Sequence, residues 1–275
     1  YSITNDNLQY IFFPYEYKDG KNQVVELQSY PNVYEYLKEL EGDFSERAII
    51  REGLIKGTHK WYELQQVNKY FDYSSPVTIY PDIALDNRFM ISGGKLIPDM
   101  TCFFFEGDRN YLLPILNSTL FKFLASNYCP ILGSAKKGGR IRFKSSYLKD
   151  IPFPEIDDSM KPILSALSIS AKSARDELTK KNYQFQLLVG SHTRSIESVS
   201  LPVAWWEKDF ERLLGSLGAR LTLPQKDELL QLFDKYKVEC QELDSQIAMS
   251  DHEINQLVYR LYKITPKELS VIERT

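Results

Sequence analysis

Cysteine and histidine are scarce in this 275-residue chain, with three of each. Cys102, Cys129 and Cys240 are odd in number, far apart and outside any C-x-x-C spacing, which leaves no disulfide framework or cysteine-based zinc site and favours a reducing, cytoplasmic setting. His59, His192 and His252 stand in no metal-ligand spacing such as H-x-x-x-H. No apolar run reaches membrane-spanning length, so no membrane partner is expected. Tyr1 opens the sequence without an initiator methionine or signal peptide, as in a segment of a longer chain. The phosphate loop G-x-x-x-x-G-K-[ST] and the nucleotide signature G-x-G-x-x-G are missing, which argues against an enzyme acting alone. A large charge excess is missing too. With 34 basic against 37 acidic residues the net charge is -3, so any attachment to nucleic acid must use a local patch.

What the chain does have is aromatic content, with 18 Tyr and 15 Phe, and enough length for two domains with real cores. Residues 8–17 and 22–28 are rich in β-formers and flank Lys18-Asp19-Gly20-Lys21, a hairpin turn. A short helix follows from Pro31, with Val33, Leu37 and Leu40 on one face and Gly42 as a stop. Residues 76–83, 88–92 and 100–106 are expected to continue the sheet, and Tyr111 to Tyr128 carries Leu113, Leu116, Leu120, Phe123 and Leu124 at helical spacing. Asn117-Ser118-Thr119 matches a glycosylation sequon but lies inside that helical pattern and is discounted. Pro152 and Pro154 make residues 151–157 extended and suggest a domain boundary.

From Met160 onward helical patterns dominate: Met160 to Leu188, Trp206 to about Leu217, and Gln225 to Ile247 entered at Pro224. Capping boxes at Ser250-Asp251-His252-Glu253 and Thr265-Pro266-Lys267-Glu268 mark two further helix starts, the last with Leu269 and Ile272 inward. The expected architecture is α+β: a mixed β-sheet domain with packed helices over 1–155, then an all-helical unit over 156–275.

The local patch is GSAKKGGRIRFKSSYLKD, residues 133–150. It holds Lys136, Lys137, Arg140, Arg142, Lys144 and Lys149, with no acid before Asp150. Gly138-Gly139 permits a sharp turn, and strand alternation would put Arg140, Arg142 and Lys144 on one face while Ile141 and Phe143 anchor the core. Duplex DNA suits such a face, through its phosphates and through guanine O6 and N7, although a charge run is often only a solvated surface. A second basic loop, with Lys56, Gly57, His59 and Lys60, runs into an aromatic strand at Trp61-Tyr62-Glu63-Leu64, where core packing is the alternative role. A nuclease site of the P-D…E-x-K kind would draw on Asp99, Glu106 and Asp108, but Asp stands where the Lys belongs.

Trp61-Tyr62-Glu63-Leu64, PVTIYPDI, YLLPILNSTLFKFL, the basic loop leading to Leu148-Lys149-Asp150-Ile151-Pro152, and DHEINQLVYRLYKITPKELSVIE, in that order, resemble the TaqI-like C-terminal specificity domain. That domain is the target-recognition part of type II restriction-modification enzymes and related adenine-specific DNA methyltransferases, some with a fused endonuclease. The resemblance implies double-stranded DNA as partner and an upstream domain that binds S-adenosylmethionine and methylates the N6 amino group of a flipped adenine. It implies no cofactor in this segment, where the N-P-P-Y/F and glycine-rich catalytic motifs are missing. It also points to Lys136, Lys137, Arg140, Arg142 and Lys144, and secondarily Lys56, His59 and Lys60, as DNA-facing, with Leu116, Asn117, Ser118 and the Leu257–Tyr262 helix as scaffold. A helical scaffold that docks on partner subunits, as type I specificity subunits do, is the alternative.

Overall fold

The computed structural model describes residues 10–93, 96–98, 101–107, 109–133, 138–193, 201–217 and 221–274. The described residues fall into two units, one within 10–77 and 92–97, the other within 78–91 and 98–274. The class is α+β, with small sheets in place of one continuous sheet.

In the first unit, strands β1 (Tyr15–Lys18) and β2 (Lys21–Val24) form an antiparallel hairpin in the register Tyr15↔Val24 to Lys18↔Lys21. Asp19 and Gly20 sit at φ 53° and 74°, the left-handed pair that a two-residue turn needs to match strand twist. The strands are shorter than expected, because the aromatic residues before Tyr15 pack rather than pair: Phe12 joins the core and Phe13 lies 5.0 Å from the Tyr73 ring. Helices α1 (Pro31–Lys38), α2 (Glu41–Ser45) and α3 (Ala48–Ile55) follow, with Pro31 in the first turn of α1. Leu37 is the buried residue of α1, Val33 and Leu40 are exposed, and Gly42 lies within α2 instead of stopping a helix.

The core of this unit gathers Leu27, Leu37, Trp61 and Tyr62. Trp61-Tyr62-Glu63-Leu64 is a turn, not a strand. Its carbonyls go to a guanidinium: Arg47 donates to Trp61 and Glu63 O at 2.9 Å each and to Phe44 O at 2.8 Å, over the Phe44 ring. Those bonds replace a strand ladder, and the core role of Trp61 and Tyr62 is the one realised.

In the second unit, β3 (Val77–Pro81) is central in the order β5-β3-β6, with β5 Met90–Ser92 and β6 Cys102–Glu106; the first residue of β3 and the last of β5 belong to the other unit. β4 (Ile83–Ala84), β7 (Ile131–Leu132) and β8 (Arg140–Arg142) make a second small sheet in the order β4-β8-β7. The run expected as one helix from Tyr111 to Tyr128 is broken into a 3-10 turn, α4 (Leu113–Leu116) and α5 (Thr119–Tyr128). The break has a cause in Asn117, which donates Nδ2 to Phe89 O at 2.8 Å and accepts Phe89 N at 2.9 Å. Buried Asn87 donates to Leu116 O at 2.6 Å and Ser118 O at 3.0 Å, and Ser118 caps α5 by accepting Phe121 N. These three residues are scaffold, and the buried Phe89 they hold stacks on Tyr80 and meets Phe121 and Phe143 edge-on.

After α6 (Ser145–Leu148) come α7 (Met160–Thr193), α8 (Phe210–Leu217), α9 (Leu223–Leu261) and α10 (Pro266–Ile272). α9 runs 39 residues without interruption. The Ser250 box therefore starts no helix: Asp251 pairs instead with Arg175 of α7 at 2.5 Å. The boxes realised are Thr222 with Gln225 and Thr265 with Glu268. α7 and α9 pack antiparallel around two cores, one holding Leu164, Ala171, Ile254 and Val258, the other Phe185, Val189, Leu229 and Phe233 with Trp205. The first core also takes in Ile115 of α4 and Leu120 of α5. The compact units do not divide at 155: the start of α7, the end of α9 and α10 share this core with α4 and α5.

Candidate nucleic-acid interface

β8 is paired on both sides, antiparallel to β4 (Ile83↔Arg142, Ala84↔Ile141) and to β7 (Ile131↔Ile141, Leu132↔Arg140). Backbone bonds from Arg142 N to Pro130 O at 3.0 Å and Phe143 N to Asp82 O at 2.6 Å extend the ladder. Ile141 and Phe143 are 3% and 1% exposed, and burying such side chains is worth roughly 1.5–3 kcal/mol each. A one-residue slip would expose both, so the alternation is locked. Arg140 and Lys144 are exposed and Arg142 is half-buried, as the alternation requires.

Arg142 Nε lies 3.4 Å from Asp82 Oδ1, with side chains 42% and 18% exposed. Such a pair contributes at most about 1 kcal/mol, but it aims the guanidinium and leaves its two terminal nitrogens unspent among the described residues. Arg140, Lys144 and Lys149 meet no carboxylate among the described residues. Gly138, at φ +74°, leads the chain into this strand through a conformation that a side chain would strain. Lys136 and Lys137, with Asp99 and Asp108 of the nuclease alternative, lie outside the described residues.

The second basic loop belongs to the other unit, and its charges are engaged. Lys60 pairs with Glu26, whose carboxylate holds the ammonium above the usual lysine range. Lys56 lies 3.8 Å from Glu52, and the His59 ring packs on buried Gly53, its Nδ1 3.0 Å from Thr58 Oγ1. Among the described residues no group of three or more His, Cys, Asp or Glu side chains could hold a metal ion. No helix among them is long and apolar enough to cross a membrane.

Residues 163–258, spanning most of α7 and α9, match a domain of unknown function (DUF8810). The type II methyltransferase M.XhoI of Xanthomonas vasicola is 28% identical over 62% of this chain and 30% of its own length. The type II methyltransferase M.PaeR7I of Pseudomonas aeruginosa is 25% identical over 62% of this chain and 28% of its own length. This chain is similar to type II methyltransferases. It spans less than a third of the length of these relatives. A solved structure of the type IIL restriction-modification enzyme MmeI in complex with DNA aligns with 86% of this chain and 28% of that one, at a TM-score of 0.38 and 12% identity.

Proposed function

We propose that this chain is the sequence-specific double-stranded DNA recognition module of a restriction-modification adenine-N6 methyltransferase, of the TaqI-like specificity kind. It works beside a catalytic domain that binds S-adenosylmethionine. The observation that carries the reading is the β8 face: exposed Arg140 and half-buried Arg142 alternate with buried Ile141, and exposed Lys144 follows buried Phe143 just past the strand's end. The likeness to type II methyltransferases over a minor part of their length supports a module that serves a larger enzyme. In this role the exposed cations grip phosphates, while the free end of an arginine fork can take guanine O6 and N7 in the major groove. Methyl transfer belongs to the catalytic domain, where the flipped base is held.

Selection of randomised DNA duplexes by the purified chain, at low and near-physiological salt, tests this. A motif retained at the higher salt is the expected result, and simultaneous charge reversal at Arg140, Arg142 and Lys144 should abolish it without unfolding the chain. Retention of duplexes with no motif at either salt, or an unchanged motif in the reversed variant, would refute the assignment.

A further inference from the structure

Residues 64–71 of the first unit form an irregular segment tied down at both ends. Leu64 N donates to the Tyr15 hydroxyl at 3.0 Å. At the other end buried Asn22 donates Nδ2 to Asn68 O at 2.9 Å and Phe71 O at 2.7 Å, and its backbone N to Lys69 O at 2.7 Å. The span between these ties is held against β2 and lines a cleft of about 850 Å³. Five carboxamides line it, from Asn22, Gln23, Gln65, Gln66 and Asn68, and Lys21 and Lys69 line it as well. The one carboxylate in the lining, Glu63, is turned inward: it accepts Lys60 N at 2.7 Å and lies 3.5 Å from the Tyr15 hydroxyl.

The amide groups have capacity left. Gln66 makes no side-chain hydrogen bond among the described residues. Gln65 accepts Ile49 N at a long 3.4 Å, and Gln23 uses only its NH2, on Lys18 O. Lys21 and Lys69 meet no carboxylate among the described residues. A carboxamide offers a donor and an acceptor side by side, the complement of adenine N6 and N7, and a lysine suits a phosphate or guanine O6 and N7. Clefts built for metals or acidic ligands are lined by carboxylates or clustered cations; this one presents paired donors and acceptors on a fixed backbone.

We infer that this cleft is a second DNA-reading surface, in which Gln65, Gln66 and Gln23 contact base edges and Lys21 and Lys69 contact the backbone. The inference rests on the DNA-recognition reading. It differs from it in location, because it assigns base readout to a unit that the basic stretch at 133–150 does not belong to.

The test repeats the duplex selection on the full 275-residue chain carrying Gln65→Ala with Gln66→Ala, and separately Gln23→Ala, with melting temperature as the folding control. The expected result is that the wild-type motif survives in part, with preference at one or two positions, adenine above all, relaxed about tenfold while binding and its salt dependence persist. Lys21→Ala with Lys69→Ala should instead weaken all sequences alike. A wild-type motif carried over unchanged into both glutamine variants would overturn the cleft and leave the β8 assignment standing. No wild-type motif at all would overturn both.

Discussion

Replacing Arg140, Arg142 and Lys144 together by alanine removes three cations from the β8 face. If each neutralises one phosphate, the slope of log affinity against log salt becomes shallower by about 2.7, since each phosphate contact contributes roughly 0.9 on duplex DNA. Over the fourfold range from about 50 to 200 mM salt, that slope is worth about 40-fold in affinity. The structural penalty should be small by comparison. None of the three side chains is buried, and the Arg142 to Asp82 pair contributes at most about 1 kcal/mol, so the melting temperature should fall by less than about 4 °C. Fluorescence anisotropy with a labelled duplex at several salt concentrations gives the slope, and circular dichroism gives the melting temperature. A variant that keeps the wild-type slope would show that these residues touch no phosphate. A slope change accompanied by a fall of tens of degrees would show that the strand, and not its charge, had been lost.

Two further outcomes follow from the packing. Asn117→Ala strips both hydrogen bonds from the buried Phe89 backbone and should destabilise the unit by about 2–4 kcal/mol, measured by urea unfolding; a loss under about 0.5 kcal/mol would mean that water replaces the amide. The Tyr15 and Tyr262 phenols are pushed up to about 12, in each case first by burial, whereas unfolded tyrosine ionises near 10. The unfolded chain therefore releases these protons first, so stability should be level below about pH 10 and fall between about 10 and 12. Phenolate absorbance should show tyrosines titrating late with the fold intact, and uniform titration near 10 before unfolding would contradict the burial.

Local chemistry was legible where neighbours in sequence are also partners in space. Asp19-Gly20, Pro31, the Thr265 box and the alternation through Arg140 to Lys144 all belong to that kind. The exceptions depend on distant partners. Nothing near Asn117 announces that its amide will be used on Phe89, 28 residues away, and so end a helix. Ser250-Asp251-His252-Glu253 has the chemistry of a helix start, but Arg175, 76 residues away, takes Asp251 while α9 continues. The β8 face could be read because a strand needs only its own periodicity. The glutamine cleft could not, because buried Asn22, 46 residues from Asn68, sets its shape.

The length of the α7–α9 pair has a consequence for how such chains can vary. α9 extends about 58 Å and α7 about 51 Å at 1.5 Å per residue, with one core toward each end, the ion pair Arg175–Asp251 between the cores and Lys181–Glu239 beside the second. Deleting a single residue from the middle of α7 would swing Phe185 and Val189 by about 100° relative to Leu164 and turn them out of their core. Viable changes of length should therefore come as matched blocks of about seven residues, one from each helix, moving the two cores apart or together in steps of about 10 Å. The hairpin then behaves as a ruler with discrete marks, and related chains should differ in reach by whole steps and not by fractions of one.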